Sequence, residues 1–222
     1  MKTDKVQKAI KSIPEVYPYL SREARKLAAK QFQNYRQLRS DYWSRIYDTI
    51  YAYLDGSKPI TQYRNSMQTL VSDYYHEAAD MGYEMSGGTL PINDATQRRL
   101  DDRITKELEF VAALFLLLRK KEDISDFDVE AYDRATGYTN SIDSIYLLGK
   151  LGGLKDEPLI WHLGNTTEHC KTCFSLDGTT HLASWYLENG YIPREPNSPT
   201  LDCKGFFCDC YWTDMRGKEI TV

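Results

Sequence analysis

The 222-residue chain is 41% hydrophobic and 27% charged, the balance of a folded protein of one or two domains and unlike that of disordered or collagen-like chains. Its most apolar run, Phe110 to Leu118, is too short to span a bilayer, and Met1 to Pro18 is polar and lysine-rich where a secretory signal needs an apolar centre. The formal net charge of −4 conceals a split: residues 1–60 carry twelve Lys/Arg against six Asp/Glu, the remainder sixteen against twenty-six. A basic N-terminal part of this kind suits an acidic partner, either nucleic acid or an acidic protein face, and equally a solvated helix. Seventeen tyrosines add a residue type enriched at protein interfaces.

In chain order, Asp4 to Ile13 is expected to be a short basic helix stopped by Pro14 and Pro18. Ser21 can cap a long helix in which Ala24, Leu27, Ala28, Phe32, Tyr35, Leu38, Tyr42, Ile46, Ile50 and Tyr53 recur at steps of three and four, ending at Asp55-Gly56. Pro59 opens a second, with Ile60, Tyr63, Met67, Leu70, Tyr74, Ala78, Met81 and Met85 on one stripe and Gly87-Gly88 as its stop, so the two should pair antiparallel. A third starts at Asn93 or Asp94 and runs through Leu100, Ile104, Leu108, Val111 and Phe115 to Lys121. Its Phe110–Leu118 end is apolar all round, which places that end at the centre of a bundle. A fourth helical stretch, from Asp126 to Gly152-Gly153, contains Gly137, where a break is expected, and its glycines near 150 read as a helix stop. Each stripe is read as core packing, and His76, with no ligand-spaced partner, as structural.

After Leu154 the chain turns rich in Gly, Pro, Asn, Ser and Thr. Pro158 to Leu163 reads as a short strand, Ser175 to Thr180 as a strand turning at Asp177-Gly178, and Gly190 to Pro193 and Asn197 to Pro199 as turns. Lys204-Gly205 should be a tight bend and Tyr211-Trp212 a last strand. The apolar periodicity is too sparse for an independent core over about sixty residues, a circumstance in which a bound metal substitutes for burial.

All five cysteines lie in this part, as Cys170-x-x-Cys173, Cys203, and Cys208-x-Cys210. A Cys-x-x-Cys turn aims two thiolates at one centre, and a second cluster returned by a hairpin can complete a tetrahedron, for which zinc is the default ion. Two disulfides would leave one cysteine odd and need an oxidising compartment. Cys170 and Cys173 are the first two ligands. The others come from Cys203, Cys208 and Cys210, with the fifth sulfur a spectator. His169 should point away from the ion, and His181 is read as a loop residue. Four protein ligands leave no open coordination position, which argues for a staple and against a catalytic centre.

These residues resemble a known family. A helical body, then Trp161, Glu168-His169-Cys170-x-x-Cys173, the Gly-Tyr-x-Pro turn at Gly190 to Pro193, Leu201-x-Cys203 and a closing Cys208-x-Cys210 followed by aromatic residues look like the C-terminal module of the minor head, or head morphogenesis, proteins of tailed phages, typified by the phage Mu F protein. The cysteine pattern covers about the last fifth of the chain, and the helical part is similar only in layout. The resemblance implies a multi-copy virion component acting at the capsid or portal during head assembly, with capsid or portal proteins as partners. It marks Cys170, Cys173, Cys203, Cys208 and Cys210 as shared residues and assigns none a catalytic role. Members commonly have arginine inside the closing Cys-x-Cys, where this chain has Asp209.

Two other classes compete. A zinc-stapled nuclease of the His-Asn-His class needs a general-base histidine with further ligands close by, and only Asp177, His181 and Asn189 fall between the thiol pairs. No phosphate-cradling loop, nucleophile elbow or His-Glu-x-x-His is present. A zinc-containing nucleic-acid-binding regulator would draw on Lys5, Lys8, Lys11, Arg22, Arg25, Lys26 and Lys30, but the cysteine-rich part is itself acidic on balance. If packaged DNA is touched, those N-terminal helices would do it through phosphates. The expectation is therefore a mainly α protein: a bundle of three to four long helices over residues 1–154 and a small zinc-stapled module of loops and β-hairpin over 155–222. It would be non-enzymatic, membrane-free, and part of a virion.

Overall fold

The computed structural model of the chain describes residues 22–205 and 208–220, with side chains from residue 33 onward except that of residue 121. The expected helix over Asp4–Ile13, the Ser21 cap, the first members of the long stripe and the basic residues up to Lys30 lie outside the described residues or side chains.

Four long helices carry the fold: α1 (Arg22–Leu54), α2 (Ile60–Met85), α3 (Asp94–Leu118) and α4 (Phe127–Leu154). α1 buries Tyr35, Leu38, Tyr42, Ile46 and Ile50, a three-then-four spacing that keeps one face inward, and stops where Gly56 takes φ +87°. α2 follows Pro59 and buries Tyr63, Met67, Val71, Tyr74 and Ala78 in the core, packing on α1 and on α4. α3 is capped by Asn93, whose side-chain oxygen accepts from Thr96 N at 2.9 Å while its amide donates to Gly152 O of α4 at 3.3 Å. Asp126 caps α4 by accepting from the amides of Asp128 and Val129.

Two expectations about these helices are corrected. The second half of α3 is not the centre of the bundle: Val111, Leu114 and Leu118 are buried, but Phe110, Leu116 and Leu117 are 39%, 61% and 59% exposed. The central helix is α4, which packs on α1, α2 and α3, and nearly every residue from Tyr138 to Gly153 is buried. Its hydroxyls disguise it as polar, yet Thr139 Oγ1 donates back to Ala135 O at 2.7 Å and Ser144 Oγ to Ser141 O at 2.7 Å, so they need no water. Nor is α4 broken at Gly137, which faces open space; it runs on to Leu154, one residue past the expected stop at Gly152-Gly153. The glycines there are packing residues. A Cβ at Gly149 would overlap Ala79 O, and one at Gly82 would overlap Tyr146 O, so α2 and α4 cross with backbones in contact.

Beyond α4, β1 (Pro158–His162), α5 (Lys171–Leu176), β2 (Thr180–Leu182), α6 (Ala183–Asn189), β3 (Tyr211–Asp214) and β4 (Glu219–Ile220) form an antiparallel sheet of order β2-β1-β3-β4 with two short helices. The expected strand at Ser175 is instead the end of α5, and the strand begins only after Gly178, at φ +70°. Trp161 faces Trp212 across β1 and β3, their rings edge-to-face at 6.0 Å with Tyr186 of α6 alongside. This part is less poor in buried residues than its composition suggests. Leu159, Trp161, Leu176, Tyr186, Leu187, Ile192, Leu201 and Trp212 are buried in a cluster continuous with the helical core.

α3 supplies the polar link between the two parts. Arg99 donates to the carbonyls of Leu187 (3.0 Å) and Glu188 (2.7 Å) at the C-terminus of α6, where orphan carbonyls and the helix dipole favour a cation. One turn on, Arg103 Nε stands 3.2 Å from Glu195 Oε1, both side chains about 5% exposed.

Candidate metal centre

Local chain geometry gathers the thiols. Cys170 is the N-cap of α5, its sulfur accepting from Cys173 N at 3.4 Å, so the Cys-x-x-Cys spacing sets both sulfurs at the start of one helix. The loop bearing Cys203 is lashed to that helix by a reciprocal pair: Thr172 N donates to Asp202 Oδ2 at 3.2 Å and Asp202 N to Thr172 Oγ1 at 3.3 Å. Lys204 and Gly205 then turn the chain with φ +55° and +73°, the expected bend, and a Cβ at Gly205 would overlap Glu195 O.

The structure brings all five sequence-predicted sulfurs together. Those of Cys170, Cys173 and Cys203 lie within 4.8 Å of one another, as do those of Cys173, Cys208 and Cys210. Cys173 belongs to both sets, is buried, and its sulfur is 4.0 Å from that of Cys208. Sulfurs around a tetrahedral ion with metal–sulfur bonds near 2.3 Å stand about 3.8 Å apart, so these spacings suit a shared ion. The group could hold a metal ion, and any four-sulfur set must draw on both trios, which meet at Cys173.

Backbone amides turn toward the sulfurs and favour their ionised form. Burial works against the Cys170 thiolate, but N–H groups of Cys173 and Cys203 bring its pKa below the ordinary value. Cys208 is lowered to about 2, first by hydrogen bonds from the thiols of Cys173 and Cys210, with the amides of Arg194 and Cys210 also donating. Cys173, donating to Cys208, is raised correspondingly. Cys203 is pushed up to about 11, chiefly by burial, with the Gly205 amide opposing. Soft, ionisable, amide-supported thiols are the donor set of a thiolate-bound metal.

The histidines stand apart. His169 places Nδ1 3.2 Å from Thr166 Oγ1 and its ring edge-on to Phe174, turned to other partners as expected. His181 stacks on Trp185 with centroids 3.7 Å apart, and among the described residues no histidine or carboxylate joins the sulfur group. His76 Nδ1 contacts Ser72 O at 2.8 Å on the outside of α2. Asp209 faces Arg194, with Oδ1 at 2.9 Å from its Nη2, while Asn165 N donates to Oδ2 at 3.3 Å. A guanidinium therefore does reach this spot, brought in from another loop.

Sequence reasoning missed α6, the amides of Gly164, Arg194 and Gly205 that serve the sulfurs, and the Arg103–Glu195 pair that backs the Cys203 loop. Asn189-Gly190 was the available signal for α6: Gly190 takes φ +69° as its left-handed stop. No family model, curated protein or solved structure matches the chain.

Proposed function

We propose that this chain is a non-enzymatic structural component of tailed-phage heads, with a Zn2+ ion cross-linking its C-terminal module, residues 155–222. The observation that carries the reading is the meeting of Cys170, Cys173, Cys203, Cys208 and Cys210 around Cys173, in the order by which the sequence resembles head morphogenesis proteins. Zinc, when bound, supplies a redox-inert cross-link between segments about thirty residues apart in the chain. The residues do the rest. The thiolates grip, the amides of Gly205, Arg194 and Gly164 hold charge on the sulfurs, and Asp202 with Thr172 keeps the two loops in register.

Docking on capsid or portal neighbours is the proposed use of the exposed aromatic faces. Trp43, Tyr47 and Tyr51 stack along α1, and Tyr132 of α4 meets Trp43 edge-on. Tyr51 and Tyr132 are 37% and 56% exposed, as suits rigid, amphipathic contact residues at an interface. The basic N-terminal residues are proposed to meet an acidic partner, including packaged DNA.

Fractionated virions test the reading. The chain should co-purify with heads in several copies per particle, and the isolated protein should contain zinc by elemental analysis. Absence from heads would overturn the virion role. Metal-dependent nicking of DNA that His181→Ala abolishes, or binding to one preferred DNA sequence at physiological salt, would replace it by a nuclease or a regulator.

A further inference from the structure

The outward face of α3 bears an apolar strip that no described residue covers. Phe110, Ala113 and Leu117 follow one another at steps of three and four, with Ala112 and Leu116 beside them, and all five are exposed. Two leucines about 60% exposed on one helical turn are costly in water, whereas the inward face of the same helix is satisfied by Val111, Leu114 and Leu118. The small side chains of Ala112 and Ala113 in mid-strip allow another helix to approach closely.

The charges around the strip say which helix fits. Lys106 and Glu109 precede it, and Arg119, Lys120 and Glu122 follow it. When a second α3 is laid antiparallel on the strip, with the two-fold axis at the level of residue 114, Glu109 of each copy falls opposite Arg119 of the other. The pattern is complementary to itself under a two-fold rotation, the property an isologous contact requires. A parallel arrangement would set like charges side by side. Arg119 is exposed and positioned, its guanidinium carbon 5.9 Å from the centre of the Phe115 ring.

We infer that the outward face of α3 is a homotypic interface through which two copies of this chain associate by antiparallel α3–α3 packing. The contact is confined to one helix per copy and falls in the small class of interfaces, below about 1,200 Å2 in total, so the association is weak and concentration-dependent. The inference uses neither the metal centre nor the virion role, and it would hold if either failed.

Sedimentation equilibrium of the full chain over a hundredfold range of concentration tests it. Wild type should pass from monomer toward dimer. Leu116→Glu with Leu117→Glu should weaken association at least about thirty-fold, the effect of losing about 2 kcal/mol of buried apolar contact. Both positions are exposed, so helix content by circular dichroism should not change. Glu109→Arg and Arg119→Glu should each weaken association, and the two together should restore it, since the charges then oppose again with their signs exchanged. A wild type monomeric throughout, a dimer indifferent to Leu116 and Leu117, or a double exchange no better than either single change would overturn the inference.

Discussion

At residue scale, the glycines of α4 separate two roles that composition alone merges. A Cβ at Gly149 has nowhere to go, since it would run into the Ala79 carbonyl of α2. Gly149→Ala should therefore lower stability by at least about 2 kcal/mol, even though alanine is intrinsically the better helix former by about 1 kcal/mol. Gly137 has nothing within 4 Å of an added Cβ and lies within the same helix. There the alanine preference should act unopposed, and Gly137→Ala should raise stability by about 0.5–1 kcal/mol. Urea unfolding of the two variants checks both signs together. If Gly149→Ala proved neutral, the close crossing of α2 and α4 would be wrong.

At the scale of elements, the docking of α3 against the C-terminal part rests on a charge pair out of contact with water. Removing only Arg103 strands Glu195, so Arg103→Met should cost about 3–5 kcal/mol, while Arg103→Met with Glu195→Leu should recover most of it, because burying two ions is itself expensive. A double-mutant cycle by thermal unfolding measures this. Glu107, one turn further along α3, is buried as well, and burial pushes its carboxyl above the ordinary 4.5 despite the nearby Arg103 guanidinium. The folded chain then keeps a proton that the unfolded chain has released. The contribution of Glu107 is whole below about pH 4.5 and shrinks as pH rises through its raised folded value. Compared across pH 4.5 to 8, the stability difference should move in favour of Glu107→Gln. A difference independent of pH would show that Glu107 ionises as freely in the fold as outside it.

Much of this level was legible in the sequence, for identifiable reasons. The stripes of α1 and α2 announced themselves because their inward positions are large and their outward ones charged. The span of α4 was legible too, but not its burial, because a helix buried on nearly every side has no polar face to set a stripe, and Thr139 and Ser144 read as surface residues until their back-bonded hydroxyls are seen. The apolar end of α3 misled in the opposite direction. Hydrophobicity on all sides reads as complete burial, but here one side is core and the other is exposed strip. Five cysteines in forty-one residues marked the candidate centre by themselves, whereas the amides that serve it lie in loops whose paths depend on positive φ at Lys204, Gly205 and Arg194.

For the whole molecule, the sulfur group joins loops that already share a core with the helices, and a metal ion held there would cross-link them. Cys173 stands in both trios, so Cys173→Ser breaks both and should abolish metal retention, while loss of any one of Cys203, Cys208 or Cys210 leaves one trio whole and should reduce affinity without eliminating it. Elemental analysis of the purified variants decides this. Cys170→Ser or Cys173→Ser should loosen residues beyond about 165 while the long helices persist, and chelation under reducing conditions should do the same to wild type. Circular dichroism with hydrogen exchange separates the two regions. Loss of the entire helical signal would mean that the core shared through Tyr186, Trp161 and Trp212 makes the chain one cooperative unit.

The strand order adds a constraint on biosynthesis. β1 follows α4 directly in the chain, but its neighbour β3 is not made until residue 214, and Cys203, Cys208 and Cys210 come only shortly before it. Until then one edge of β1 is open and Trp161 lacks its Trp212 neighbour. An aborted chain released before Cys203 would carry an unfinished sheet and a half-built thiol site, a form readily recognised by chaperones and proteases. Only chains translated through β3 can pair that edge of β1, so the edge stays open until Tyr211–Asp214 has been made.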